Sequence, residues 1–212
     1  MMPRGSQKYL GVADFSNYIS TNDGSRNAST GSDITRYLFE VRHEAFEGAL
    51  DRLAQCFIAP LLPADVTERE VNAVHNEAMR HMQNDLRRML NVRRELYNPA
   101  AGKSKFSTGN KTTLAQADHV VVREFMEANY SSDRMALAVA GIASLDQLEA
   151  WARAYYNDIP RCELPTIQRE PIFLLRAEAL RFATIEPVKE VRELWLEFPI
   201  PATRPPLRRQ TG

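Results

Sequence analysis

Cysteine is scarce in this sequence, since Cys56 and Cys162 are the only two among 212 residues. Two cysteines cannot make the disulfide framework that holds small secreted domains together. Cys56 also lies inside an apolar helical pattern, where a cysteine usually behaves as a small buried hydrophobe. We therefore expect a fold that is held by an apolar core, and the hydrophobic share of 44% is ordinary for a globular protein.

Net charge is absent as well. Lys plus Arg and Asp plus Glu number 27 each, so no overall field would attract nucleic acid or an anionic membrane. No run approaches the roughly 18 apolar residues of a membrane span, and residues 1–10 lack the apolar core of a signal peptide. We expect no nucleic-acid partner and no membrane partner, and a cytoplasmic location with an organelle as the alternative.

The common catalytic motifs are missing. The four histidines stand at positions 43, 75, 81 and 119, and none belongs to an HExxH or HxxEH motif. The sequence contains no GxSxG, CxxC or P-loop motif either. The chain therefore lacks a self-contained zinc motif. The arginines of residues 86–94 are interpreted as an ordinary charged helical face, because balancing acids surround them and no aromatic residues are interleaved.

Apolar periodicity is what the sequence does offer. It predicts helices at residues 14–22, 43–59, 67–84, 86–97 and 118–130, and another after Ser144. Ser144 and Gln147 have the spacing of a capping box for that last helix. Residues 25–40 predict two strands joined by a turn. The run MALAVAG predicts a buried strand, and VRELWLEFPIP predicts a strand ended by Pro199 and Pro201.

The third predicted helix carries two acids, Glu70 and Glu77, on one face, because seven residues are nearly two helical turns. Val74 lies between them, so the acids point toward an apolar layer, where an unpaired carboxylate would be costly. Two interpretations of Glu70 stay open, since Thr67-x-x-Glu70 is also a capping box that would satisfy a backbone N–H. Glu77 lies past the first turn and is the better functional candidate. We expect His75 to be a surface residue.

Eight segments occur in the order in which one known family has them: GSQKYLGVADFSNYIS, GSRNAST, TRYLFEV, EGALDRLAQCFIAPL, EREVNAV, KFSTGNKTTL, ANYSSDRMALAV and FPIP. In these segments the chain resembles the inverted-motif (HxxEH) zinc metallopeptidases, the family of insulin-degrading enzyme, pitrilysin and nardilysin. The resemblance covers nearly the whole chain and is highly specific. We predict an α+β fold in which helices pack on one face of an antiparallel or mixed sheet that is incomplete at both ends.

The resemblance implies a zinc metalloendopeptidase in which an HxxEH helix supplies two histidine ligands and the general-base glutamate. A later glutamate supplies the third zinc ligand, and by position this ligand is Glu77. Glu70 matches a second acid that supports the site. Asn27 and Ala28 match an edge strand whose backbone pairs with an extended peptide substrate.

The chain also departs from the family pattern. His75 and Asn76 replace the Asp and Ser that commonly stand beside the ligand. Family spacing counted back from Glu77 places the second histidine immediately before Met1, which implies that both histidine ligands and the general base are absent. We therefore expect a partial catalytic domain at residues 1–201, with uncovered apolar surface and poor solubility, and an unstructured tail at residues 202–212.

Two functional hypotheses follow. The first is a fragment of a zinc metalloendopeptidase that is inactive alone, because a catalytic zinc site needs about three protein ligands. Its partners would be a peptide substrate and the missing remainder of the enzyme. The alternative is a non-catalytic module that holds peptides or a partner subunit through the strand containing Asn27 and Ala28.

Overall fold

A computed structural model describes residues 4–31, 33–105, 108–165, 168–173 and 181–198. Every predicted helix is present there, and the predicted α+β class and hairpin are confirmed. The elements are α1 (Asp14–Thr21), β1 (Ser25–Thr30), β2 (Thr35–Glu40), α2 (Phe46–Ile58), α3 (Ala64–Met82), α4 (Asp85–Glu95), α5 (His119–Asn129) and α6 (Leu145–Tyr156). Short 3-10 turns occupy His43–Ala45, Gly102–Ser104 and Ser132–Arg134.

The chain divides into two compact units. The first comprises Met1–Arg80 and Ser107–Gln168, and the second comprises His81–Phe106 and Arg169–Gly212. Within the described part of the chain, no helix combines the length and the apolar character that crossing a bilayer requires.

The core of the first unit lies between helices α1 and α2 and one face of the hairpin. Phe15 of α1 and Leu53 of α2 are both buried in it. The rings of Phe15 and Phe39 meet edge to face with centroids 5.8 Å apart, and those of Tyr37 and Phe57 do so at 5.5 Å. The aromatic residues of β2 therefore anchor the hairpin to both helices, and these helices cover one face of the sheet, as predicted.

The register of the hairpin decides which side chains face that core. Strands β1 and β2 are antiparallel, with Ala28 opposite Tyr37 and Asn27 opposite Leu38. Residues directly opposite one another share a face of the sheet, so Ala28 lies on the core side with Tyr37. Asn27 lies on the other face with Leu38, whose side chain is 49% exposed. The face that carries Asn27 is thus open.

Helices α5 and α6 begin at capping side chains. Ser144 Oγ accepts a hydrogen bond of 3.2 Å from Gln147 N–H, which confirms the predicted cap of α6. Asp118 Oδ1 accepts bonds of 2.9 Å from the N–H groups of both Val120 and Val121 and caps α5 in the same way.

In the second unit a segment without helix or strand, residues 181–198, lies along helix α4. The carboxylate of Asp85 accepts hydrogen bonds from Val188 N–H at 2.7 Å and from Lys189 N–H at 3.0 Å. The bond from Val188 and the one from Lys189 lower the pKa of Asp85. Arg88 donates to the Glu186 carbonyl at 2.8 Å, so an arginine of the predicted charged face also holds this segment.

Two predicted strands are not formed. Residues 135–140 of MALAVAG have no strand partner, and Leu137 is 44% exposed, so the prediction of a buried strand is wrong. Residues 191–198 of the last predicted strand are unpaired too, and Leu194 and Leu196 are exposed. The cause is the same in both places: a strand requires a hydrogen-bonded neighbour, which the apolar pattern of one segment does not reveal. The predicted ends at positions 199 and 201 and the tail 202–212 fall outside the described residues.

Candidate functional site

Glu70 is held by a cation and does not cap its helix. Arg4 donates a hydrogen bond from its guanidinium to Glu70 Oε1, and the Glu70 side chain is only 22% exposed. The capping-box interpretation is wrong because α3 begins at Ala64, which places Thr67 inside the helix. Thr67 is buried, and its hydroxyl donates to the Pro63 carbonyl at 3.2 Å. The capping-box pattern therefore placed the start of α3 about one helical turn too late.

The segment before α1 holds Arg4 in position through backbone hydrogen bonds to the end of α2. Gln7 N–H donates to the Ala59 carbonyl at 2.9 Å, and Leu61 N–H donates to the Gly5 carbonyl at 3.3 Å. Gly5 has a φ of 90°, a left-handed conformation that favours glycine. Arg4 therefore approaches α3 from a segment whose next residues, Gly5 and Gln7, are bonded to the chain at the end of α2.

Glu77 lies exposed on α3, seven residues after Glu70, beside the buried Ala78. Within the residues that the structure describes, no group of three or more His, Cys, Asp and Glu side chains is arranged to hold a metal ion. His75 is half-buried, so it is less exposed than the sequence suggested, and its Nδ1 has no hydrogen-bond partner among the described residues. Its position on the partly covered side of α3 explains that burial. These side chains do not fit a zinc centre.

Strand β1 has an open edge. All six of its residues are exposed, and β2 is its only strand neighbour within the described ranges. Gly31 N–H donates to the Ile34 carbonyl at 2.8 Å, which makes this pair a hydrogen-bonded one. Hydrogen-bonded pairs alternate along an antiparallel ladder, so the backbone groups of Arg26, Ala28 and Thr30 point away from β2. These groups face the side on which another extended backbone could be added.

The open edge borders the core of the first unit. A small depression there is lined by side chains of the hairpin and of both core helices, namely Phe15, Arg26, Asn27, Ala28, Tyr37, Leu38 and Leu53. The predicted substrate residues Asn27 and Ala28 thus lie together, as neighbours on one strand. The two acids lie on α3, which is not among the main packing neighbours of β1 in the described structure.

A buried polar cluster around Asp51 was missed by the sequence interpretation. Asp51 lies on α2 with 7% exposure, and its Oδ2 accepts bonds of 2.6 Å from Lys8 Nζ and from the Tyr9 hydroxyl. Burial, together with the bond to Asp51, raises the pKa of Tyr9 to about 12. Arg52 lies over the Tyr9 ring at 4.3 Å and donates to Asp14 at 2.9 Å.

One sequence signal could have revealed the Asp51 cluster. Asp51 interrupts the apolar stripe FEGALDRLAQCFI at a position that packs inward. A buried charge needs a partner, and Lys8 and Tyr9 are the partners, although they stand more than 40 positions earlier in the chain. The cluster fastens the segment before α1 to α2, so it supports the arrangement that holds Arg4.

Comparison with known proteins gives matches along most of the chain. The sequence profile of Insulinase (Peptidase family M16) matches residues 1–100, and that of the Peptidase M16 inactive domain matches residues 118–208. The insulin-degrading enzyme of Drosophila melanogaster is 37% identical over 207 residues, which are 93% of this chain and 21% of that protein. A relative from Schizosaccharomyces pombe, 35% identical over 204 residues, covers 93% of this chain and 21% of its own length and has "zinc protease" in its name.

The fold is shared with a solved structure of the same kind. The crystal structure of pitrilysin superposes with a TM-score of 0.73 at 34% identity, over 80% of this chain and 19% of that chain. The chain therefore spans about a fifth of the length of the curated relatives and of pitrilysin.

Proposed function

Because this chain belongs to the insulinase family of peptidases, M16, we propose that it carries the peptide-binding edge of a zinc metalloendopeptidase and does not cleave peptides by itself. In this proposal the strand that contains Asn27 and Ala28 pairs with an extended peptide. Glu77 is a zinc ligand of the complete enzyme, and Glu70 is an acid that supports that site. The observation that carries the peptide-binding part is the open edge of β1, where all six residues are exposed.

Strand addition accounts for peptide binding without a deep pocket. An extended peptide that lies beside β1 would receive hydrogen bonds from the N–H groups of Arg26, Ala28 and Thr30 and donate to their carbonyls. The depression beside Ala28 has a volume of only about 20 Å³, which is too small to take a peptide side chain. Backbone pairing along β1 would therefore supply the affinity for a peptide.

The zinc part of the proposal concerns Glu77 alone. A catalytic zinc site has about three protein ligands, and the described residues around Glu77 provide no further cluster of His, Cys, Asp or Glu. The described side chains around Glu77 therefore do not fit a zinc ion. For the same reason we expect neither tight zinc binding nor peptide hydrolysis from the isolated chain.

The second candidate function is a non-catalytic module that uses the same edge to hold a peptide or a partner subunit. The open edge of β1 favours it, since strand addition needs neither the metal nor the two acids. Both candidates predict that the chain binds peptides. They differ in whether Glu77 contributes to peptide hydrolysis when this chain is part of a complete enzyme.

A single set of assays tests the proposal. The purified 212-residue chain is incubated with a fluorogenic peptide and zinc, with and without a chelator, and with labelled insulin B chain to measure binding. We expect binding, no turnover, and loss of binding in Ala28→Pro, because proline removes the outward N–H. Arg36→Lys, on the exposed β2 and outside the depression, is the matched control and should bind normally. Chelator-sensitive turnover, or unchanged binding by Ala28→Pro, would contradict the proposal.

A further inference from the structure

The side chain of Asn27 binds the backbone of its own strand at the open edge. Asn27 Oδ1 accepts a hydrogen bond of 2.8 Å from Ala28 N–H. This N–H points away from β2, because Ala28 and Tyr37 form a non-hydrogen-bonded pair in the ladder. The Asn27 carboxamide therefore occupies the donor at the middle of the edge that an added strand would need.

An incoming strand must compete with this side chain. Strand addition requires the incoming carbonyl to accept from Ala28 N–H, and Asn27 Oδ1 already stands at hydrogen-bonding distance from that nitrogen. Natural proteins protect exposed edges with charges, prolines or bulges. The sequence of β1, SRNAST, has a single charged residue and no proline, so the carboxamide is the protective group at its centre.

We propose that Asn27 is an edge guard, which closes β1 to strand addition until its carboxamide rotates away from Ala28 N–H. Where the added strand is a peptide, the inference rests on the proposed function, and Asn27 then decides how readily peptides bind. Rotation is sterically free, since Asn27 lies on the open face of the hairpin and is exposed. One net hydrogen bond weakens strand addition by roughly two- to tenfold.

The test removes or keeps the acceptor atom. Asn27→Ala has no side-chain acceptor, whereas Asn27→Asp keeps an oxygen at the same place and accepts more strongly. Ser29→Ala is the matched control, because Ser29 lies on the same face but its N–H points toward β2. Two readouts are taken on the full chain: hydrogen exchange of the Ala28 amide, and affinity for labelled insulin B chain at salt high enough to screen the added charge.

We expect Asn27→Ala to speed exchange of the Ala28 amide several-fold and to bind the peptide roughly two- to tenfold more tightly. Asn27→Asp should slow exchange of the Ala28 amide and weaken peptide binding, and Ser29→Ala should change neither quantity. The guard is overturned if Asn27→Ala leaves exchange of the Ala28 amide unchanged. It is also overturned if Asn27→Ala binds the peptide no more tightly than the unaltered chain. If no variant binds the peptide, the proposed function fails. The guard is then judged by exchange and by self-association in light scattering, which Asn27→Ala must increase.

Discussion

Arg4 and Glu70 form an ion pair that joins the segment before α1 to helix α3, across 66 positions of the sequence. The pair is partly exposed, with 37% of the Arg4 side chain and 22% of the Glu70 side chain accessible. The Glu70 carboxylate thus already has the Arg4 guanidinium as its partner. Any supporting role of Glu70 in the proposed site would have to be exercised together with Arg4 or after the pair has separated.

The first prediction concerns the strength of this pair. A double-mutant cycle of Arg4→Gln and Glu70→Gln should give a coupling free energy of about 0.2–1 kcal/mol, since partly exposed pairs are screened by solvent. The cycle of Asp65 and Arg69 is the matched control, because both side chains are about 70% exposed and the pair should fall at the low end of that range. Chemical denaturation measures both. A coupling for Arg4 and Glu70 no larger than the control would contradict the structure.

The second prediction uses the bond between Tyr9 and Asp51. Tyr9→Phe should lower the free energy of unfolding by about 0.5–1.5 kcal/mol near neutral pH. The folded chain holds the Tyr9 pKa at about 12 against an ordinary value of 10.0, so the unfolded chain loses this proton first as pH rises. The contribution is complete below about pH 10 and is lost between about pH 10 and pH 12.

Denaturation of both chains as a function of pH measures this loss. The difference between the unaltered chain and Tyr9→Phe should shrink across the alkaline range. The control is the same substitution in Asp51→Asn, where it should cost less because the carboxylate acceptor has been removed. A difference that stays constant up to pH 12 would show that Tyr9 does not titrate in contact with Asp51.

The local parts of the fold could be predicted from the sequence, and the long-range parts could not. Apolar spacing gave each helix, and Ser144 gave the start of α6, because a helix satisfies its backbone within its own segment. The apolar run MALAVAG predicted a strand that is not formed, because strand formation depends on a neighbour elsewhere in the chain. Glu70 shows the same limit: its spacing from Thr67 predicted a cap, whereas its partner is Arg4.

The third prediction distinguishes the two cysteines by reactivity. Burial, followed by the charge of Asp14, raises the pKa of Cys56 to about 12, whereas Cys162 is exposed. The thiolate is the reactive form, so at pH 8 a disulfide reagent should label Cys162 rapidly and Cys56 only after the addition of denaturant. Cys162→Ser removes the fast phase and Cys56→Ala removes the slow one. Rapid labelling of Cys162→Ser in native buffer would show that Cys56 is accessible.

The fourth prediction compares two glycines. A Cβ added to Gly24 would lie 2.3 Å from the Glu40 carbonyl oxygen and 2.9 Å from the Ile19 carbonyl oxygen, both of which belong to the backbone. Because a backbone cannot rotate away as a side chain can, Gly24→Ala must shift the junction between α1 and the hairpin. We expect the free energy of unfolding to fall by about 1–3 kcal/mol.

Gly102 supplies the control, since nothing lies within 4 Å of a Cβ added there. Gly102→Ala should be neutral or stabilising by about 0.4–1 kcal/mol, because alanine restricts the unfolded chain. Denaturant titration gives both values, and amide shifts of β1 and β2 report whether the hairpin moves. Equal stabilities for the two variants would mean that α1 and the hairpin do not meet as closely as the structure has them. The open edge at Asn27 and Ala28 would then lose the rigid support on which strand addition depends.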